Sequence, residues 1–299
     1  AIPLEGVGTV VAELSHFESQ PQGFFSAGPI VGGPAGVVTE GEAAFTVFNG
    51  VLVGRIVSHG RLFTVRRATD TSHTISEVDQ SSFPNESQPL EAPQGLRLNP
   101  IAASRADAPT AGDVAYVDLV VIYTPVARTE AGGTSAIQAD IVGSVNNGNL
   151  ALQNSGVTQR YRLVYQGESA YTESAITSDL TRLQAVGDGY LDEAHSLRTQ
   201  FGADVVTLVR GNDPSSCGLG YVMQSGDVDA SFAPWAFNVT VWSCANANLT
   251  LAHEVGHNLG LQHNRENANT ASAFSYAYGY RIAGSRDVMS YDCSPSCTR

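Results

Sequence analysis

His253-Glu254-Val255-Gly256-His257-Asn258-Leu259-Gly260-Leu261-Gln262-His263 is the stretch that decides how this chain is read. Residues four apart on a helix are separated by about 40° around the axis and about 6 Å along it. His253 and His257 can therefore turn both imidazoles to one metal ion from one face. Glu254 stands beside the first of them, placed to reach a water at that ion without binding the ion itself. Gly260 can take a positive φ, which ends the helix and turns the chain sharply. His263 then arrives from outside the helix as a third ligand. Three protein ligands leave a fourth position open, the arrangement of a catalytic zinc rather than a structural one. Leu251, Val255 and Leu259 give the same helix an apolar stripe, so it is expected to serve the core as well. Three of the chain's seven histidines fall in this stretch, which a surface helix with incidental histidines does not explain.

Downstream, Asp287-Val288-Met289-Ser290-Tyr291 contains one of only two methionines. A long zinc-binding motif followed by such a methionine turn resembles the metzincin metallopeptidases. The resemblance implies that Met289 forms an apolar floor beneath the three histidines. It also implies that Tyr291 lies near the metal and donates to a tetrahedral oxyanion. Taken from their own residue types, Met289 is ordinary core packing and Tyr291 is one of eleven tyrosines. The implied reaction is hydrolysis of a peptide bond, assisted by zinc as a Lewis acid. Glu254 takes a proton from the attacking water and passes it to the leaving amine. No G-x-S-x-G elbow marks a serine hydrolase.

Composition narrows the remainder. The chain has 299 residues, enough for two domains or one large one, and a 42% hydrophobic fraction that is ordinary for a globular protein. Its formal net charge is −13, and all 16 basic residues are arginine. Such a chain is not expected to bind nucleic acid or an anionic membrane through bulk electrostatics. No apolar run is long enough for a transmembrane helix, and no signal peptide is read in these residues; the start at Ala1-Ile2-Pro3 fits a residue left by signal cleavage and equally a cloning boundary. Cys217, Cys244, Cys293 and Cys297 lie in the last third, an even number beside a hydrolase motif. They read as two disulfides in a secreted protein. Pairing Cys217 with Cys244 and Cys293 with Cys297 is preferred, although three pairings exist. The acidic residues permit calcium without specifying a site, and a monomer is expected.

Along the chain, residues 1–90 read as a β-rich unit of strands and turns. Ala44-Phe45-Thr46-Val47-Phe48, Val51-Leu52-Val53, Arg61 to Arg66 and Ser72 to Val78 are its clearest strands. From Phe83 the pattern fades, and prolines punctuate a polar stretch that reads as an exposed linker and processing region, 91–112 in the division of the chain; the alternative is an ordered but irregular loop crossing a surface, and both hold if the stretch lies over an active-site cleft. Residues 113–299 then form an α/β unit with a mostly parallel sheet. Its strands are Val117 to Tyr123, Tyr161 to Tyr165, Asp204 to Arg210, Gly218 to Met223 and Phe237 to Trp242. Its helices are Ser135 to Asn154, with an imperfect apolar stripe, then Asp179 to Val186 and Tyr190 to Phe201, and finally the histidine helix.

This order is similar to the upper part of a metzincin catalytic domain. Its nearest likeness is the bacterial reprolysin-like (adamalysin-related) branch that includes secreted peptidyl-Asp endopeptidases. Tyr116 to Arg128, the histidine helix and Val288 to Cys293 carry the resemblance. Asn264 departs from it, since reprolysins usually place Asp after the third histidine. The ten residues after Met289 are fewer than the C-terminal helix of the clan would need.

The resemblance implies that the N-terminal part is a propeptide that inhibits the enzyme within one chain. A cysteine on the zinc is not expected, because none stands between Ala1 and Cys217. His16, His59, His73 and Asp79 are the ligand types available for blocking the metal, alongside simple steric cover. A permanent accessory or adhesion domain is the alternative for this part. Gly218-Leu219-Gly220-Tyr221 reads as the sheet edge on which a peptide substrate pairs. Arg281 and Arg286 flank the methionine turn, where an arginine would favour acidic residues on the primed side; a structural role is the plainer reading of both. Two rivals stand beside the secreted zinc endopeptidase. One is a zinc amidase acting on non-protein substrates, which a deep closed pocket would favour. The other is a secreted binding or adhesion protein with a vestigial metal site, which intact Glu254 argues against.

Overall fold

The computed structural model describes residues 1–33, 40–69, 71–93, 114–226, 228, 230–293 and 297–299. Most of the expected linker, 94–112, lies outside the described residues.

The first unit is an antiparallel sheet of eight strands: β1 (Ile2–Leu4), β2 (Gly8–Ala12), β3 (His16–Gln20), β4 (Gly23–Gly32), β5 (Gly41–Phe48), β6 (Val51–Ser58), β7 (Arg61–Thr69) and β8 (Ser72–Val78). They run in the order β1-β2-β4-β5-β6-β7-β8, with β3 beside β4. Gly50 and Gly60 supply the positive φ, 77° and 73°, at the β5–β6 and β6–β7 turns, a region that residues with a Cβ rarely enter. One face buries Val10, Ile30, Ile56 and Phe63 in a core of its own.

A short strand, β9 (Leu90–Glu91), belongs to the second sheet. That sheet is built from β10 (Tyr116–Tyr123), β11 (Arg160–Glu168), β12 (Val205–Arg210), β13 (Gly218–Val222) and β14 (Phe237–Val241), in the order β11-β10-β12-β14-β13-β9. The four strands β11, β10, β12 and β14 run parallel, and β13 is antiparallel to β14. Parallel neighbours need crossovers. Helices α1 (Pro125–Glu130) and α2 (Thr134–Asn154) connect β10 to β11, and α3 (Ile176–Gln184) and α4 (Glu193–Phe201) connect β11 to β12. Thr124 caps α1 by accepting from the Ala127 amide at 3.0 Å, with Pro125 in the first turn. Helix α4 starts three residues later than the sequence pattern suggests. The Asp192 carboxylate takes the Gly187 and Gly189 amides at 2.6 and 3.1 Å, which holds the preceding segment in a turn. After β14 come α5 (Trp242–Ala245) and α6 (Thr250–Asn258), then an irregular segment with one small hairpin, β15 (Arg281–Ile282) and β16 (Ser285–Arg286).

Helix α2 joins the two units. Ile137, Ile141 and Val145 face the core of the second sheet. On the other side, Ala139 meets Val51 and Val53 of β6, and Leu150 meets Phe25, Ala27 and Ala44. Its polar residues face partners across the same boundary. Asn146 donates to Thr46 Oγ1 at 3.0 Å, and Asp140 lies 3.3 Å from Arg66. A helix covered on two sides needs no single apolar stripe, which is why its periodicity is weak in the sequence.

Both disulfides have the preferred pairing, Cys217–Cys244 and Cys293–Cys297. No described helix is long and apolar enough to cross a membrane.

Candidate metal centre

Helix α6 lies under β13 and β14 and is buried along its whole length. Asn258 fastens its end by donating to Tyr221 O and Phe237 O at 2.8 and 3.2 Å, and its own Oδ1 accepts from Asn238. Gly260, at φ 90°, then turns the chain where an added Cβ would lie 2.4 Å from Ala273 Cβ. The Gln262 backbone is held by Ala277 O and by the Gly279 amide, and this returns His263 to the helix face.

The three imidazoles converge. His263 Nε2 lies 3.1 Å from the Nε2 atoms of both His253 and His257. Nitrogen ligands about 2.0–2.1 Å from a tetrahedral ion stand about 3.3 Å apart. His253 Nδ1 donates to Val288 O at 2.7 Å and His257 Nδ1 to Leu261 O at 2.8 Å. A carbonyl has no proton to give, so these bonds fix the tautomer and leave each Nε2 as a lone pair aimed at its neighbours. His263 Nδ1 bonds no protein group, so with its proton there His263 turns a third lone pair inward, and a cation between the three nitrogens satisfies all of them. Burial holds the His253 pKa down to about 4 and that of His263 to about 2, and it lowers His257 as well. All three are therefore neutral ligands at neutral pH. The donor set fits zinc, and no other cluster among the described residues competes. Asp292, Cys293 and Cys297 also lie together, but the two thiols are joined in a disulfide.

Glu254 lies beside the triad with both carboxylate oxygens buried and without a protein partner. Burial raises its pKa well above the usual range, helped by the nearby Glu86 charge and opposed by Arg299. Glycines of the edge strand make its space. A Cβ on Gly218 would lie 2.4 Å from Glu254 Oε1, and one on Gly220 would lie 3.1 Å from Oε2. Gly218→Ala is therefore expected to displace the carboxylate and lower any hydrolytic kcat about a hundredfold, the scale of a 1 Å misplacement. Zinc content should be unchanged. Steady-state kinetics with metal analysis checks this, and an unchanged kcat would mean that the carboxylate moves aside freely.

Met289 is 5% exposed. Its sulfur lies against Gly256, where an added Cβ would come within 2.6 Å of it. The Tyr291 ring centroid lies 4.1 Å from that of His263. The Tyr291 hydroxyl donates to Glu86 O at 2.6 Å, and Asn264 Oδ1 accepts the Tyr291 amide at 3.2 Å. Asn264 thus ties the third histidine to the methionine turn.

The stretch from Phe83 takes the ordered alternative as far as Glu91, because its main chain is docked on the edge strand. Cys217 N donates to Asn85 O at 3.3 Å and Ser87 N to Gly218 O at 2.8 Å, and Leu90 and Glu91 pair in parallel with Tyr221 and Val222. Glu86 is 2% exposed. Its carboxylate meets Arg299 Nη1 at 2.6 Å and accepts from Asn248 and Thr250 at 3.1 Å each. Burial pushes the Glu86 pKa up, but the Arg299 guanidinium and His253 outweigh it and hold the group below the usual carboxylate range.

None of the proposed blocking ligands reaches the triad. His16 stacks near Phe25, His59 bonds Ser58, His73 accepts the Leu52 amide, and Asp79 caps a 3-10 turn. Arg281 and Arg286 take the structural role that is the plainer reading of both. Arg281 donates to Tyr291 O and Asp292 O at 2.8 and 2.7 Å, and Arg286 to Ser290 O and Asn248 Oδ1 at 2.9 and 3.3 Å. Sequence reasoning did not single out Glu86, Asn248, Thr250 or Arg299, which no motif spacing connects.

Residues 114–299 match the profile of metallo-peptidase family M12, in its reprolysin-like form. A peptidyl-Asp metalloendopeptidase of Xanthomonas campestris is 32% identical over 83% of this chain and 58% of its own length. One from Stenotrophomonas maltophilia is 32% identical over 87% of this chain and 62% of its own. The chain thus spans less than two thirds of these relatives. Metalloproteinase-II from Bacteroides fragilis superposes with a TM-score of 0.46 at 14% identity, over 84% of this chain and 76% of that one.

Proposed function

Because this chain belongs to the reprolysin-like metallopeptidases of family M12, we propose that it is a secreted zinc endopeptidase, present here as its own inhibited proenzyme, with a preference for acidic residues on the primed side. The observation that carries this reading is the extended segment Asn85–Glu91. It lies on edge strand β13 through main-chain hydrogen bonds, and Glu86 O accepts from the hydroxyl of Tyr291, whose ring packs on His263. A cleft that holds an extended chain by its backbone suits a peptide substrate.

His253, His257 and His263 would hold the zinc, which supplies a polarised carbonyl and an acidified water when bound. Glu254 accepts the proton of the attacking water at a carboxylate oxygen that bonds no other protein group, and delivers it to the departing amine nitrogen. The Tyr291 hydroxyl now donates to Glu86 O. Once that segment leaves, the same hydroxyl donates to the oxyanion of the substrate. The N-terminal sheet and the 83–93 segment inhibit by cover, holding the edge strand, Tyr291 and the metal approach at once. The name of these relatives, peptidyl-Asp metalloendopeptidase, supports an acidic preference, and the disulfides support an oxidising compartment.

The test is a cleavage map. The zinc-loaded chain, allowed to process itself or trimmed between 94 and 112, is incubated with denatured proteins, and new termini are read by mass spectrometry with and without a chelator. Chelator-sensitive cuts preceding Asp or Glu are expected. An absence of cuts from a trimmed, zinc-loaded protein would overturn the reading.

A further inference from the structure

The carboxylate of Glu86 sits in a pocket made only of donors. Arg299 Nη1 and Nη2 lie 2.6 and 3.3 Å from its two oxygens, and Asn248 Nδ2 and Thr250 Oγ1 each lie 3.1 Å from Oε1. Both charged side chains are 1% exposed. Arg299 has anchors besides Glu86, among them its own carbonyl, which accepts from Arg55 of β6 at 2.7 Å. Arg299 is held by Asn248 O at 2.5 Å and Ser290 O at 3.1 Å, and both carbonyls belong to the catalytic unit. Arg286 donates to Asn248 Oδ1, which turns the amide so that its NH2 faces the pocket.

The pocket also has a fixed place beside the reaction centre. Thr250 lies one helical turn before His253, and Arg299 Nη2 is 3.4 Å from His253 Nδ1. One and the same residue, Glu86, gives its backbone carbonyl to Tyr291 and its side chain to Arg299. A cationic pocket one residue wide, next to the metal and filled by an acid from a segment lying where substrate would lie, is built to read an acidic side chain.

Resting on the peptidase reading above, we propose that Arg299, with Asn248 and Thr250, forms the subsite that selects an aspartate or glutamate of the substrate beside the scissile bond, and that Glu86 fills it as an internal substitute for that residue. An asparagine there would leave the guanidinium buried without a counter-charge and set its own NH2 against the pocket donors. A site built on such bonds rejects the neutral analogue strongly.

The experiment uses the zinc-loaded chain trimmed between 94 and 112, as in the cleavage map, and carrying Glu86→Ala, so that the released segment does not refill the pocket. Two fluorescein-labelled octapeptides serve as probes, alanine throughout except for one central aspartate or asparagine. The expected kcat/KM ratio of aspartate to asparagine peptide is roughly a hundredfold. Adding Arg299→Met should bring the ratio to about one, and Arg299→Lys should leave an intermediate value, as expected when a bidentate fork becomes a point charge. A ratio that survives Arg299→Met overturns the assignment. A second arm measures binding of the same peptides by anisotropy in the Glu86→Ala chain made inactive with Glu254→Gln. There the aspartate peptide should bind about a hundredfold more tightly, and equal binding overturns the assignment even if the Arg299 variants fail to fold. Aspartate-selective binding without cleavage by any zinc-loaded chain would support the pocket and defeat the peptidase reading alone.

Discussion

Glu254→Gln is expected to reduce peptide hydrolysis by about three orders of magnitude, within the range of a positioned general base, while zinc remains bound. Glutamine keeps the shape of the side chain and fits between Gly218 and the helix, but it cannot accept and return a proton. The three histidines hold the metal without help from Glu254, so metal content should be unaffected. Stability should not fall either. Both Glu254 oxygens are buried without protein partners, and an unpaired buried carboxylate is costly, as its raised pKa shows. Kinetics, zinc analysis and a melting curve on one preparation separate these effects. Turnover near wild-type level in a zinc-loaded variant would remove Glu254 from the chemistry.

Stripping the metal is expected to stop hydrolysis and to make the chain sensitive to mild acid. Without the ion, burial depresses the pKa values of the three ligands, with His253 at about 4 and His263 at about 2, against about 6.5 in an unfolded chain. As pH falls below about 6.5 the unfolded chain binds protons that the folded chain refuses, so stability declines. It is fully present above that value and is lost progressively toward pH 4. His253 alone, with 6.5 − 4 = 2.5 units of depression, accounts for about 3 kcal/mol across that window. Glu254 acts in the opposite sense. Its raised pKa stabilises the folded state below the usual carboxylate range and loses that contribution as pH rises through the folded value. Zinc adds stability to the folded state by mass action, so urea midpoints at pH 7.5 and pH 5 with zinc or with chelator test the whole argument. Identical midpoints in all four conditions would mean that the triad holds no metal.

The histidine helix was legible because its chemistry is contiguous. Two ligands, the base, the helix-ending glycine and the third ligand follow one another in a single stretch, and helix geometry does the rest. The order of strands and helices from Tyr116 onward was legible for a similar reason, since buried parallel strands are apolar at nearly every position. The role of α2 was hidden by its two covers: a helix between two sheets has no free face to carry polar residues, so its stripe blurs. The acidic-side-chain pocket was hidden for a different reason. Glu86 and Arg299 are separated by nearly the whole chain, and a lone glutamate in a proline-punctuated stretch looks like linker. Arg281 and Arg286 drew notice by standing near the methionine turn, but backbone carbonyls and Asn248 already occupy their donors. Gly218 and Gly220 could have been noticed from the alternation Gly-Leu-Gly. What they make room for is visible only once Glu254 is placed beneath them.

The pairing of β9 with β13 has a consequence beyond catalysis. A sheet edge with free amides and carbonyls recruits strands indiscriminately, and copies of one chain are the most abundant strands near a newly made protein. Here that edge is occupied from within, by a segment of the same molecule. A segment that caps this edge therefore also lets the chain accumulate without joining edge to edge.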